Sequence, residues 1–231
     1  ILRYANSADS PYGDPGQVVG YGAVMFWATT GAPQVQAGQG GLTEAQRAEL
    51  LKLARTTIAE YLKTGNIPDY QTDDPALIRP SGAFVTLRVR GLPATENLRG
   101  CIGRMQADDT PLYRVVQEMA LASATSDPRF PPLTEEELDE VSIEISVLSP
   151  LRLINDVQEI QVGTHGLMIV EDGRQGVFLP QVPVEQGWNR DQYLENLCRK
   201  AGLPTNCMTA NPTLYSFTAL VFGEESPPPG D

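Results

Sequence analysis

A cysteine between glycines is the feature of this sequence that points most directly to chemistry. Cys101 lies in Leu-Arg-Gly-Cys-Ile-Gly at positions 98–103, where Gly100 and Gly103 leave room for a ligand or a neighbouring backbone to approach. In an extended strand, Arg99 and Cys101 share one face, so the arginine could lower the pKa of the thiol or bind an anion. Two interpretations stay open: a thiol in a narrow substrate site, or a small buried residue that permits close packing.

His165 and Glu144 are the candidate partners of this cysteine. His165, in Gly-Thr-His-Gly at 163–166, is the single histidine of the chain, and the alternative role is that of a loop residue bonded by the backbone. Glu144 lies in the middle of a predicted strand, opposite an aliphatic row, and needs a partner if that face is covered. The hypothesis is that Cys101, Glu144 and His165 converge on one pocket as a nucleophile, a base and its orienting group.

Further substrate-binding candidates are Arg99, Gly100, Gly103, Arg129 and Trp188. The tryptophan could line a pocket or, with similar weight, pack against the start of the following helix. No metal ligands are predicted, because one histidine and scattered cysteines form no cluster with ligand spacing. Three cysteines without a CxxC pair also argue against a disulfide framework, and a reducing, cytoplasmic compartment is expected.

Composition narrows the class of protein. The chain has 231 residues, of which 41% are hydrophobic and 20% charged, which is typical of a globular protein. A formal net charge of -12 opposes non-specific binding to the phosphates of nucleic acid, so duplex DNA is not an expected partner. No apolar run reaches the length of a membrane span, and no signal peptide is expected at the start, although a targeting segment could have preceded Ile1.

The elements that must position these residues follow from capping and periodicity. Thr43 and Gln46 form a capping box that begins a helix over about 43–63, and Gly65 is placed to end it. The other predicted elements are strands at 84–90 and 98–105, a helix from 110, a short helix opened by a capping box at 134–137, a strand at 141–148, a hairpin around 171–174, a helix at 190–201 and a last strand at 214–222. Their irregular alternation favours an α+β fold with mixed or antiparallel sheets and packed helices.

Several motifs, in order and at matching spacing, resemble the AMMECR family. They are Leu-Arg-Gly-Cys-Ile-Gly at 98–103, Asp-Pro-Arg-Phe-Pro-Pro at 127–132, Glu144 in Ser-Ile-Glu-Ile-Ser-Val-Leu, His165-Gly166, and Leu-Pro-Gln-Val with Glu-Gln-Gly-Trp at 179–188. The resemblance covers about 42–222 and implies an α+β fold of two subdomains. It also implies an association with a Memo-like protein and a radical SAM enzyme, as protein A of the AmmeMemoRadiSam system.

The start of the chain resembles a different family. Residues 1–27, through Leu-Arg-Tyr-Ala-Asn-Ser-Ala-Asp at 2–9 and Val-Val-Gly-Tyr-Gly-Ala at 18–23, are similar to the C-terminal end of Memo proteins. That similarity implies a natural fusion in which iron could bind to the missing Memo-like portion, while no cofactor is expected in this chain. The predicted organisation is a Memo-like remnant at 1–30, a linker at 31–41, an AMMECR-like domain at 42–222 and a disordered tail at 223–231.

Two functional interpretations follow from the resemblance. In the first, the AMMECR domain takes part in modifying an unknown substrate, with Cys101 as nucleophile or radical-quenching thiol. In the second, the domain is a non-catalytic binding module for a substrate or partner protein, and the thiol is buried and inert. A role in RNA binding is a third, weaker alternative because of the acidic charge.

Overall fold

The computed structural model describes residues 41–93, 96–107 and 109–224. They fall into two compact units, a first unit of 41–148 with 220–224 and a second unit of 149–219. The predicted Memo-like remnant and nearly all of the predicted linker lie outside the described residues. Within the described ranges, no helix is both long and apolar enough to cross a bilayer.

Helices and strands alternate irregularly along the described chain. The helices are α1 (Glu44–Thr64), α2 (Pro75–Ile78), α3 (Leu112–Thr125), α4 (Glu135–Leu138), α5 (Gln181–Glu185) and α6 (Arg190–Lys200). The strands are β1 (Ala83–Val89), β2 (Leu98–Arg104), β3 (Val141–Leu148), β4 (Arg152–Leu153), β5 (Gly166–Glu171), β6 (Arg174–Phe178), β7 (Thr213–Phe217) and β8 (Ala219–Gly223). The predicted α+β class is confirmed.

The first unit packs helices against one face of a sheet with the order β2-β1-β3-β8. Strand β1 pairs with both β2 and β3 in antiparallel fashion. The face toward α1 and α3 is apolar and includes Val85, Leu87, Ile102, Ile143 and Ile145. Because side chains alternate along a strand, the residues between them face the other way, as predicted for Glu144.

Helix α1 begins and ends where its local sequence predicts. The Thr43 side chain accepts a hydrogen bond from the Gln46 amide, and the Gln46 side chain accepts one from the Thr43 amide, which completes the predicted capping box. Gly65 ends the helix with a φ of 74°, a left-handed conformation that glycine adopts without strain. Both ends of the helix therefore follow the prediction.

The second unit is built on a sheet with the order β4-β7-β5-β6. Asp172 and Gly173 both have positive φ values, 49° and 75°, and form the predicted tight hairpin between β5 and β6. Helix α6 begins with a capping box between Asn189 and Gln192 and is followed by Gly202, at a φ of 69°. Gly176 leaves the space that the backbone of α6 needs to pack closely on β6.

Three expectations require correction. The predicted last strand is two strands, because β7 lies in the second sheet and β8 in the first. Structure also extends into the predicted tail: β8 ends at Gly223, and Glu224 pairs with Arg55. The expectation of no disulfide was wrong, because Cys198 and Cys207 are bonded and Cys101 is the free cysteine.

Candidate functional site

Cys101 and Glu144 lie in one row across the first sheet. Thr86 on β1 is the register partner of Cys101 on β2 and of Glu144 on β3. All three side chains point away from α1 and α3, because their strand neighbours face the apolar core. The sheet therefore brings together two of the three residues predicted to act as a catalytic set.

This row belongs to a polar sheet face, which we define by Arg88, Thr86, Ser142, Glu144, Ser146 and Cys101. Most of it is removed from solvent, since Thr86, Cys101 and Ser146 are 3%, 4% and 1% exposed. Glu144 is half-buried and forms an ion pair with Arg88, at 3.6 Å between carboxylate and guanidinium atoms. Ser146 Oγ is buried without a hydrogen-bond partner among the described residues.

The Cys101 thiol is buried and neutral. The Thr86 hydroxyl donates a hydrogen bond to Sγ at 3.3 Å. Burial raises the pKa of the thiol, because a thiolate loses its hydration there, and this outweighs the opposite effects of the Thr86 hydrogen bond and of the Arg129 charge. The arrangement is that of an unreactive cysteine near neutral pH, since the thiolate is the nucleophilic form.

An ion pair holds the backbone of Cys101 at the outer edge of the sheet. Asp127 Oδ2 accepts a hydrogen bond from the Cys101 amide at 2.9 Å, and Arg129 Nη2 donates to the Cys101 carbonyl oxygen at 3.3 Å. The two side chains also bind each other, with 2.6 Å between Arg129 Nη2 and Asp127 Oδ2. Arg129, predicted to bind substrate, is thus engaged by β2 and by its own loop.

Arg99 is bound by residues that follow Arg129 in the chain. Its guanidinium forms two hydrogen bonds with the Glu137 carboxylate, at 3.1 and 2.9 Å, and a third with the Pro131 carbonyl oxygen at 3.0 Å. The Phe130 ring lies against both Arg99 and Arg129, at 5.8 and 5.3 Å from ring centre to guanidinium carbon. The hydrogen bonds from Arg99 lower the pKa of the Glu137 carboxyl group.

The two glycines beside Cys101 serve packing within the unit. A Cβ at Gly100 would lie 2.2 Å from the Ser123 carbonyl oxygen, so this glycine lets α3 approach β2. A Cβ at Gly103 would lie 2.1 Å from the Phe84 ring, which covers that end of the polar sheet face. Their predicted role in substrate binding stays a prediction.

His165 and Trp188 belong to the second unit. His165 Nδ1 accepts a hydrogen bond from the Gln161 amide at 3.2 Å, and its carbonyl oxygen accepts one from the Tyr193 hydroxyl. This is the backbone-bonded loop arrangement that is the alternative to a catalytic role. Trp188 packs edge to face on Phe178 at 5.4 Å between ring centres. Convergence of His165 with Cys101 and Glu144 stays a prediction.

Sequence reasoning missed the residues that contact Cys101 most directly. Asp127 stands in one of the family motifs, and its spacing of two from Arg129 is a usable signal for a local ion pair. Thr86 could be found only from the register of β1, which the alternating pattern does not specify. In the described part of the chain, no group of three or more His, Cys, Asp or Glu residues could hold a metal ion.

The fold is α+β, and the strands of its first sheet carry the Leu-Arg-Gly-Cys-Ile-Gly motif and Glu144. Together these features define a protein of the AMMECR type. A family model described as AMMECR1 matches residues 51–222. Protein PH0010 of Pyrococcus horikoshii is 44% identical over 188 residues, which cover 77% of this chain and 89% of that protein. Protein PYRAB00100 of Pyrococcus abyssi is 43% identical over 185 residues, covering 77% and 90%.

A solved structure gives the same result for the fold. The crystal structure of PH0010 from Pyrococcus horikoshii superposes with a TM-score of 0.73 at 42% sequence identity, covering 78% of this chain and 91% of that chain. The chain belongs to the AMMECR1 family.

Proposed function

We propose that the chain is the AMMECR1-family component of a modification system that also contains a Memo-like protein and a radical SAM enzyme. Its role is to hold a substrate or a segment of a partner on the polar sheet face, while the radical enzyme performs the chemistry. The two partners come from the resemblance of residues 42–222 and 1–27 to the respective families.

The observation that carries this role is the state of Cys101. A thiol that is 4% exposed and has a raised pKa is a weak nucleophile near neutral pH, because little thiolate is present. The same residue can shape the floor of a binding surface. Ser146 adds support, since a buried hydroxyl without a partner among the described residues is a position where a ligand atom could form a hydrogen bond.

The test is alkylation of Cys101 with iodoacetamide in the folded full chain, with the Cys198–Cys207 disulfide intact. We expect slow labelling at neutral pH that accelerates only above the ordinary thiol pKa of 9.0, because burial favours the protonated form. The His165→Ala variant should label at the same rate. Rapid labelling near neutral pH that slows in His165→Ala would overturn the binding role and favour a catalytic set of Cys101, Glu144 and His165.

A second experiment addresses the partner. The full chain would be titrated by calorimetry with a purified radical SAM protein of the AmmeMemoRadiSam type. Cys101→Ser should bind with unchanged affinity, and Glu144→Gln should bind more weakly because it removes a charge from the polar sheet face. Glu135→Gln is the matched control, since Glu135 is an exposed carboxylate of the same unit. No binding by the unaltered chain would contradict the proposed partner.

A further inference from the structure

The second unit contains a covalent link at the connection between a helix and an inner strand. Cys198 on α6 is bonded to Cys207, which begins a short 3-10 helix at Cys207–Ala210. The chain then continues into β7, which lies between β4 and β5 in the second sheet. A change in this disulfide therefore acts on the connection between α6 and β7.

A groove is lined by one of the two bonded cysteines. It has a volume of about 260 Å³ and is lined on one side by Asp172 and Arg174 of the hairpin, and on the other by Asn206 and Cys207. Cys198 does not line the groove and is 0% exposed on the inner side of α6. Cys207 lines the groove and is 3% exposed, so of the two cysteines it is the one that a reagent in the groove can contact.

The connecting segment between the two cysteines is otherwise folded by local contacts. The Cys207 amide donates to the Pro204 carbonyl oxygen at 2.9 Å, and the Leu203 amide donates to the Cys198 carbonyl oxygen at 2.9 Å. Arg174 holds the start of the segment through a hydrogen bond of 3.0 Å to the Gly202 carbonyl oxygen. Local turns reform and open easily, so the disulfide is the constraint that fixes the position of Cys207 against α6.

We propose that the Cys198–Cys207 disulfide is a redox-sensitive switch that an external dithiol operates through this groove. A thiolate of the dithiol attacks Cys207 Sγ, the S–S bond breaks, and Cys198 leaves as a thiolate that takes up a proton. The second thiol of the reductant resolves the mixed disulfide, so the protein gains two thiols and the reductant becomes a disulfide. Reduction releases residues 203–210 and reshapes the groove. This inference does not depend on the proposed function of the first unit.

The first test follows the state of the disulfide in the full chain. Protein isolated without reductant should show one reactive thiol after unfolding, that of Cys101, and three after treatment with dithiothreitol. Reduction of the folded protein should raise amide hydrogen exchange in residues 203–210 at least about tenfold and leave α1 unchanged. Three thiols without reductant, or equal exchange in both states, would overturn the proposal.

A matched pair of variants tests which cysteine the groove exposes. In Cys198→Ser the disulfide is absent and residues 203–210 are released, so we expect iodoacetamide to label the Cys207 thiol at the groove in the folded protein. In Cys207→Ser the free Cys198 thiol is buried on α6, so labelling should require unfolding. Circular dichroism checks that both variants are folded. If Cys207→Ser were labelled as fast as Cys198→Ser, attack through the groove at Cys207 would be excluded.

Discussion

At the scale of single residues, Asp127 and Arg129 act as a substitute for a neighbouring strand. Strand β2 is at the edge of the first sheet, where an amide and a carbonyl group point outward and need partners. Asp127 accepts from the Cys101 amide and Arg129 donates to the Cys101 carbonyl oxygen, so one ion pair satisfies both groups. The two sequence motifs that carry Cys101 and Arg129 are thereby joined into one structural feature.

Asp127→Asn tests this role. The amide oxygen of asparagine can still accept from the Cys101 amide, but Arg129, whose side chain is 10% exposed, loses its ion pair with Asp127. Because removing one charge of a buried ion pair is costly, we expect the free energy of unfolding to fall by about 3 kcal/mol in urea denaturation. Glu159→Gln, which breaks the exposed ion pair with Arg152, should change it by less than about 1 kcal/mol. Equal effects would mean that the buried pair has no special importance.

At the scale of elements, α3 packs closely on β2 at Gly100. The Ser123 hydroxyl of α3 accepts a hydrogen bond from the Ile102 amide at 2.9 Å and donates one to the Val85 carbonyl oxygen at 2.7 Å, so it bridges β2 and β1. Gly100 permits this approach, because its missing side chain leaves room for the helix backbone. The glycine before Cys101 thus positions the strand on its helix.

Gly100→Ala should therefore destabilise the protein. The new Cβ would lie 2.2 Å from the Ser123 carbonyl oxygen, which belongs to a helix backbone and moves only together with α3. We expect a loss of about 1–3 kcal/mol in the free energy of unfolding, measured by chemical denaturation. Gly41→Ala is the control, since among the described residues no neighbouring atom lies within 4 Å of the position that a Cβ would take there. A neutral Gly100→Ala would show that α3 can move away without cost.

At the scale of the whole molecule, the chain completes its first unit only at the end of the described residues. Residues 149–219 form the second unit before β8 returns to the first sheet beside β3. Glu224 secures this return: its carboxylate accepts from Arg55, Arg90 and the Ile143 amide. The hydrogen bond to Glu224 also raises the pKa of the Arg55 guanidinium.

Glu224→Gln should weaken this closure. The side chains of Arg55 and Glu224 are 28% and 19% exposed, so their interaction is only partly screened by water. We expect a loss of about 1–3 kcal/mol in stability and faster hydrogen exchange in β3, measured by mass spectrometry. Glu135→Gln, which removes an exposed partner of Lys63, should leave exchange in β3 unchanged. Unchanged exchange in both variants would argue that apolar packing alone holds β8.

The sequence by itself determined the local elements and the family. Capping boxes, the Asp-Gly turn and alternating strands depend on residues within a few positions of one another, so Thr43, Gly65 and Asp172 have the predicted conformations. The family motifs are also recognisable in the amino-acid sequence, because their order and spacing along the chain do not depend on folding. The placement of Glu144 opposite the aliphatic row followed from strand periodicity alone.

Only the tertiary structure decided which sheet each strand joins, which cysteines pair and which side chains are buried. The division of 214–222 between two sheets, the pairing of Cys198 with Cys207 and the burial of Cys101 depend on contacts between distant segments. Periodicity gives the face of a strand but neither its register nor what covers it, so Thr86 and Asp127 could not be assigned to Cys101. The reactivity of the thiol was open for the same reason, since a pKa depends on the surroundings that folding creates.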